Sequence, residues 1–201
     1  NRIKHNIRVV NLSLGAPAIE SYKNDPLCRA VRRLADAGVV VVAAAGNNGK
    51  DASGRKLYGL VHSPGNEPSA ITVGASNSLG SDSRDDDGVA TYSSRGPTRS
   101  YWKDSVGVKH FDNLIKPDLV APGNKLLSAQ AKQNYFVTQY PTLSTSTSNS
   151  GSDDFRVMYM SGTSMATPHV SAVAALIWSC NPLKSNQNIR DAMTATAKDK
   201  G

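Results

Sequence analysis

The sequence predicts an α/β fold in which a doubly wound parallel sheet is covered by helices. Two observations carry this prediction. The apolar run over residues 39–46 has the length of a strand and no polar face, which is typical of a strand buried on both sides. A shorter apolar run over residues 7–14 and an amphipathic segment precede it. This strand–helix–strand order is the signature of a parallel βαβ unit.

The connecting helix has clear start and stop signals. Residues 26–37 place apolar side chains at positions 27, 30, 31 and 34, which is the spacing of an amphipathic helix. Asp25 can cap its start and Gly38 can end it. The segment "AITVGAS" over residues 70–76 then predicts a third strand.

Two more helices are expected near the end of the chain, over residues 164–179 and 186–197. The first is apolar around most of its circumference, which predicts burial inside a larger core. Between the sheet and these helices lie a longer insertion over residues 99–115 and a low-complexity segment over residues 142–154. We expect residues 142–154 to form a mobile surface loop.

Composition narrows the function classes. The 201 residues are 39% hydrophobic and 19% charged, as in a globular domain, and no apolar run approaches the ~20 residues that span a bilayer. The net charge is +7, but the basic residues are dispersed and not interleaved with aromatic ones. We therefore expect a solvated basic surface and no nucleic-acid or membrane partner. The two cysteines, Cys28 and Cys180, are too few for a disulfide scaffold or a metal site, and their pairing stays open.

Ser164 is the first candidate for chemistry. It follows Gly162 and Thr163 at the start of the predicted helix, where free backbone N–H groups and the positive end of the helix dipole can stabilise an oxyanion. The alternative is an ordinary helix cap, because Ser and Thr are preferred at that position.

Asn47 is the second candidate. It lies in the segment "AAAGNNG", directly after the apolar strand, at the edge where active sites of open α/β sheets collect. Its side-chain amide can donate a hydrogen bond there. The alternative is a simple turn in which Asn tolerates an unusual backbone conformation.

No histidine in this sequence is an evident base for Ser164. His169 lies five residues further along the same helix, which turns it ~140° away and ~7.5 Å along the axis. The other three, His5, His62 and His110, lie in loops or at the chain start with no indicated partner. The serine–acid–histidine order of the α/β-hydrolases is also missing.

Taken together, six segments resemble the subtilisin-like serine proteases in order and spacing. They are "VVNLSLGAP", "VVVVAAAGNNG", "SPGNEPSAITVGA", "YSSRGPT", "KPDLVAPG" and "MSGTSMATPHVSAVAALI", which together span nearly the whole chain. The most specific is "GTSMATPHV". The resemblance implies a serine endopeptidase that acts on proteins or peptides, within a subtilisin-like doubly wound parallel sheet with a central buried helix.

The resemblance also implies roles for individual residues. Ser164 corresponds to the nucleophile, Asn47 to the oxyanion-hole asparagine that acts with the Ser164 backbone N–H, and Thr163 to a support of that site. The bond Ser63-Pro64 corresponds to a cis peptide. The segments expected to bind substrate and line the pocket for the residue before the cleaved bond are Ser13, Leu14, Gly15, Ala44, Ala45 and Gly46.

The resemblance covers only part of the family's pattern. The D-[ST]-G and H-G-T-H motifs that carry the catalytic Asp and His are missing from residues 1–201. We therefore expect this chain to be the C-terminal part of a peptidase domain, inactive alone. An upstream segment or a second chain would supply both residues. The strand in residues 7–14 would then have an unpaired edge. The alternative is a catalytically silent peptide-binding or scaffolding domain.

No cofactor is required by this chemistry, and Ca²⁺ is possible as a structural ion. The candidates for Ca²⁺ binding are the acidic residues Asp82, Asp85, Asp86, Asp87, Asp153 and Asp154. Solvated acidic turns are the more frequent explanation of such segments. By the same family resemblance we expect the protein to be secreted or extracytoplasmic.

Overall fold

The structure is a computed structural model that describes residues 2–145 and 156–199. The strands are β1 Val9–Leu12, β2 Val40–Ala44, β3 Ile71–Asn77, β4 Gly88–Val89, β5 Tyr101–Lys103, β6 Lys109–Phe111, β7 Leu119–Pro122, β8 Leu126–Ala129, β9 Ser144–Thr145 and β10 Val157–Met160. The helices are α1 Pro26–Asp36, α2 Tyr135–Gln139, α3 Thr163–Cys180 and α4 Asn186–Thr196, with a 3₁₀ turn over Pro141–Leu143.

The main sheet has five strands, four of them parallel. Their order is β1-β2-β3-β7, and β4 pairs antiparallel with the end of β3. The three parallel strands expected from the sequence are present as β1, β2 and β3. The fourth, β7, was missed because the prolines at its borders, Pro117 and Pro122, are typical of a loop.

Strand β2 is the centre of the core, because all five of its residues are buried. Its side chains alternate between the two faces of the sheet, as in any strand. Val40 and Val42 pack in the cluster that includes α3, while Val41 joins the cluster on the α1 side. This two-sided burial explains why the sequence segment is continuously apolar.

Helix α1 has the predicted boundaries within one residue. The Asp25 carboxylate accepts hydrogen bonds from the backbone of Leu27 at 2.8 Å and Cys28 at 3.0 Å, which caps the first turn. Gly38 follows the helix with a φ of +85°, a conformation that glycine adopts without strain.

The predicted free edge is present at β1, which pairs only with β2 among the described residues. One side of α3 packs on the sheet, but another is open: Val173 is 45% exposed and Leu176 is 65% exposed. The apolar circumference of α3 is thus only partly covered by residues 2–145 and 156–199.

The structure describes the insertion over residues 99–115 in full, but only the start of the predicted loop over residues 142–154. Within residues 99–115, β5 and β6 form an antiparallel hairpin whose register pairs Tyr101 with Phe111. The first four residues of the predicted loop 142–154 complete the 3₁₀ turn and form β9, which pairs with β10. The rest of that predicted loop lies outside the described residues.

Two further observations bear on the sequence predictions. The Ser63-Pro64 bond is cis, as expected, and the bonds Gly96-Pro97 and Lys116-Pro117 are cis as well. Within the described ranges, no helix combines the length and apolar character needed to cross a membrane.

The two cysteines are unpaired and lie in contrasting environments. Cys28 is fully buried, and its thiol donates to Asn66 Oδ1 at 3.1 Å. Burial raises the pKa of Cys28 to about 12. Cys180 is exposed at the end of α3.

We expect iodoacetamide to alkylate Cys180 but not Cys28 in the folded protein at pH 8, because the thiolate is the reactive form. Mass spectrometry of native and urea-unfolded samples measures both sites, and the Cys180→Ser variant is the control that removes the native label. Equal alkylation of the two thiols in the native protein would contradict the burial of Cys28.

Candidate active site

Ser164 lies in the first turn of α3, at the carboxyl edge of the parallel sheet. Helix α3 begins at Thr163, with Gly162 as its N-terminal flanking residue. The Gly162 N–H donates to the Gly123 carbonyl at 2.8 Å, which ties this turn to the segment after β7. A Cβ on Gly123 would lie only 2.8 Å from the Gly162 oxygen. This close approach therefore requires glycine at position 123.

A proline inside α3 shapes the surroundings of Ser164. Pro168 has no N–H, so it cannot donate to the carbonyl of Ser164 four residues earlier. That carbonyl instead accepts a hydrogen bond from Ser13 Oγ at 2.7 Å. In return, Ser164 Oγ donates to the Ser13 carbonyl at 3.1 Å. The predicted substrate-binding segment and Ser164 are thus in direct contact.

Thr163 joins the end of β2 to the start of α3. Its side chain is 1% exposed. The Thr163 hydroxyl accepts from the Gly46 N–H at 3.1 Å and donates to Asn47 Oδ1 at 3.1 Å, while the Thr163 N–H donates to the same Asn47 oxygen at 2.9 Å. Two donors on Oδ1 fix the orientation of the amide, and its NH₂ group faces away from them.

This arrangement leaves two donors free beside Ser164. Among residues 2–145 and 156–199, neither Asn47 Nδ2 nor the Ser164 N–H has a hydrogen-bond acceptor. The first turn of a helix leaves such N–H groups available, and the helix dipole adds positive potential there. A fixed amide donor and a backbone N–H at one serine are the components of an oxyanion hole.

The two wall segments, which are the predicted pocket-lining residues 13–15 and 44–46, face each other across the ring of His62. Ala44, Ala45 and Gly46 are buried, whereas Ser13, Leu14 and Gly15 are exposed. A Cβ on Gly15 would lie 2.9 Å from His62 Cβ, and a Cβ on Gly46 would lie 2.8 Å from His62 Cδ2. No sequence pattern predicted this position for His62, because its neighbours here are distant along the chain.

The remaining histidines do not complete the site. His169 Nδ1 lies 3.0 Å from the Met165 carbonyl, one turn back on α3, as expected for a hydrogen-bonded helix residue. His110 is paired with Asp104 at 2.8 Å on the β5–β6 hairpin. Within the described parts of the chain, no histidine hydrogen-bonds to Ser164 Oγ.

The acidic candidates for Ca²⁺ do not come together. Asp86 accepts from Ser81 Oγ at 2.8 Å, and Asp85 forms an ion pair with Lys198. No group of three or more Asp, Glu, His or Cys side chains among the described residues could hold a metal ion. Ca²⁺ binding by Asp82, Asp85, Asp86 or Asp87 therefore stays a prediction. Asp153 and Asp154 lie outside the described residues.

A groove of about 1060 Å³ lies elsewhere, between β7, α3 and α4. Leu119, Val173 and Met193 contribute to its lining, whereas Ser164, Asn47 and the two wall segments do not. The size of this groove therefore gives no information about the chemistry at Ser164.

Comparisons with known proteins identify the family of this chain. The model of the Subtilase family matches residues 1–201. Serine protease AprX of Bacillus subtilis (strain 168) is 37% identical over 189 residues, which are 93% of this chain and 37% of that protein. Subtilisin of Bacillus pumilus is 32% identical over 195 residues, which are 97% of this chain and 51% of that protein. The chain thus spans about half or less of the length of these relatives.

Solved structures show the same fold. Sphericase superposes with a TM-score of 0.64 at 29% sequence identity, covering 96% of this chain and 50% of its own. The S41 psychrophilic protease gives a TM-score of 0.64 at 27% identity, with 96% and 50% coverage.

We expect Thr163→Val to destabilise the folded protein by about 1–3 kcal/mol, because the buried Gly46 N–H loses its acceptor. Urea unfolding of the protein that carries this chain measures the change in free energy. Thr194→Val on α4 is the matched control: its exposed hydroxyl donates to the Arg190 carbonyl at 3.1 Å, so its removal should have a smaller effect. Equal effects of the two substitutions would show that the Thr163 junction is not a stability determinant.

Proposed function

Because this chain belongs to the subtilase family, we propose that it provides the nucleophile and oxyanion hole of a serine endopeptidase. The observation that carries the proposal is the free amide donor of Asn47, held by Thr163 beside the first turn that contains Ser164. A helix cap alone would not require this second, separately oriented donor. The substrates would be proteins or peptides, and each chemical group required is a protein group, so no cofactor is needed.

Each residue has a defined part in the proposed reaction. Ser164 Oγ attacks the carbonyl carbon of the scissile peptide bond, and its proton passes to a histidine base. The resulting oxyanion accepts hydrogen bonds from the Ser164 N–H and Asn47 Nδ2. The histidine then protonates the leaving amine, and water hydrolyses the acyl-enzyme. The segment of Ser13, Leu14 and Gly15 would pair with the substrate backbone as an added strand.

The base and its acidic partner are proposed to lie on a segment outside residues 1–201, in the same polypeptide or in a second chain. Among the described residues, the Ser164 hydroxyl donates to Ser13 and has no hydrogen bond to a histidine, which supports this proposal. The unpaired edge of β1 and the exposed Leu176 on α3 offer apolar surface for such a segment. By family resemblance, we also propose that the whole protein is secreted.

The test is reaction of the full protein that carries this chain with a fluorophosphonate, followed by intact-mass and peptide-mass spectrometry. We expect one adduct, on Ser164, and hydrolysis of a casein substrate. Both should be lost in Ser164→Ala, while Ser13→Ala should still form the adduct. No adduct on the folded wild-type protein, together with retained peptide binding, would favour the alternative of a silent peptide-binding domain.

We expect Asn47→Leu to lower turnover by about 10²–10³-fold, as removal of the corresponding donor does in subtilisin, with little change in KM. The donor stabilises charge that develops only in the transition state, so the effect should lie in kcat. Steady-state kinetics on a peptide anilide measures both constants, and Asn24→Leu on the exposed surface is the control. Wild-type kcat in Asn47→Leu would remove Asn47 from the oxyanion hole.

A further inference from the structure

The ring of His62 occupies the space between the two segments that are proposed to enclose the substrate side chain before the cleaved bond. Gly15 lies on one segment and Gly46 on the other, and a Cβ built on either glycine would point toward this ring. At Gly15 the nearest ring atom is Nδ1, 3.2 Å from a Cβ built there; at Gly46, Cγ and Cδ2 are each 2.8 Å away. Any substrate side chain that enters between these glycines therefore meets the imidazole.

The ring is held in place from both ends. The His62 backbone N–H donates to the Ala45 carbonyl at 2.9 Å, and Ser63 exchanges two backbone hydrogen bonds with Ala16, each of 2.9 Å. At the other end, His62 Nε2 lies 2.8 Å from Asn48 Oδ1. Because an amide oxygen only accepts, the ring donates this hydrogen bond through its Nε2–H.

The contacts of the ring at Gly15, Gly46 and Asn48 are with uncharged groups. Asn48, whose N–H donates to Ser94 Oγ at 3.0 Å, and the glycine and alanine backbone supply its contacts. Burial lowers the pKa of His62, which keeps the imidazole neutral near pH 7. A neutral ring at this place acts by its volume and does not act as a counter-charge for an acidic substrate.

We propose that His62 forms a floor that shortens this pocket, so that the enzyme prefers peptides with Gly, Ala or Ser before the cleaved bond. The inference rests on the proposed function, and it names the substrate class of the same site. A large aromatic side chain would have to displace the ring and break its hydrogen bond to Asn48. A mismatch of this kind in a binding pocket typically changes kcat/KM by about 10–200-fold.

The experiment compares two peptide anilides that differ only in Ala or Phe at the position before the cleaved bond. The full protein that carries this chain is tested as wild type, His62→Ala and Asn48→Ala, with His110→Ala on the hairpin as the control histidine. We expect wild type and His110→Ala to favour Ala over Phe by about 10-fold or more. In His62→Ala, kcat/KM for Phe should rise by about 10–200-fold while that for Ala changes little.

Asn48→Ala provides a second route to the same test, should His62→Ala fail to fold. Loss of the anchoring oxygen lets the ring turn aside, so the preference for Ala should fall in this variant too. Fluorophosphonate labelling of Ser164 is measured on every variant, because a small phosphonate does not probe the pocket floor and reports an intact nucleophile.

The outcomes distinguish a failure of the His62 inference from a failure of the proposed protease function. If Ser164 is labelled but wild type cleaves the Phe peptide as well as the Ala peptide, the floor role of His62 is overturned and the protease proposal stands. The same holds if the labelled His62→Ala or Asn48→Ala variant keeps the wild-type ratio. Wild-type protein that is neither labelled nor able to cleave either peptide contradicts the proposed function itself, and this inference falls with it.

Discussion

The buried hydroxyl of Thr163 is the contact on which the geometry of the site depends. Gly46 and Thr163 are 117 positions apart along the chain, yet the Thr163 hydroxyl accepts a hydrogen bond from the Gly46 N–H. Thr163 is also the first residue of α3. Because a buried donor without an acceptor destabilises a fold by about 1–3 kcal/mol, the turn after β2 and the start of α3 have one preferred arrangement. That arrangement orients Asn47 and places its amide beside Ser164.

The sheet brings the rest of the site to the same edge. Parallel strands point their carboxyl ends in one direction, so Ser13 after β1 and Asn47 after β2 emerge beside each other. Helix α3 crosses this sheet with its N-terminus at that edge. Pro168 then frees a carbonyl that Ser13 can engage. A residue that would be unfavourable in most helices thus contributes to the contact between Ser164 and the segment after β1.

Local signals predicted most of the elements, and tertiary contacts account for what was missed. Strand β2 and helix α1 were predicted from apolar periodicity and caps, which are properties of neighbouring residues. Ser164 and Asn47 were identified by motif resemblance, and the hydrogen bonds of Thr163 supply the physical basis for grouping them. The position of His62 depends on backbone segments 16 or more residues away in sequence, so no local pattern could reveal it. Strand β7 was hidden by its bordering prolines.

The proposed division of the site between this chain and another segment fits the edge of β1 that is unpaired among the described residues. The two donors proposed for the oxyanion hole lie after β2 and in the first turn of α3, which pack against each other, so their positions do not depend on the proposed base. Ser13 comes directly after β1 and touches Ser164. A further parallel strand that paired with β1 would end at the same edge, and the residues after it would emerge beside Ser13. In the family pattern the catalytic Asp follows an early strand. The edge that is left unpaired is therefore the position from which such a residue could reach a base at Ser164.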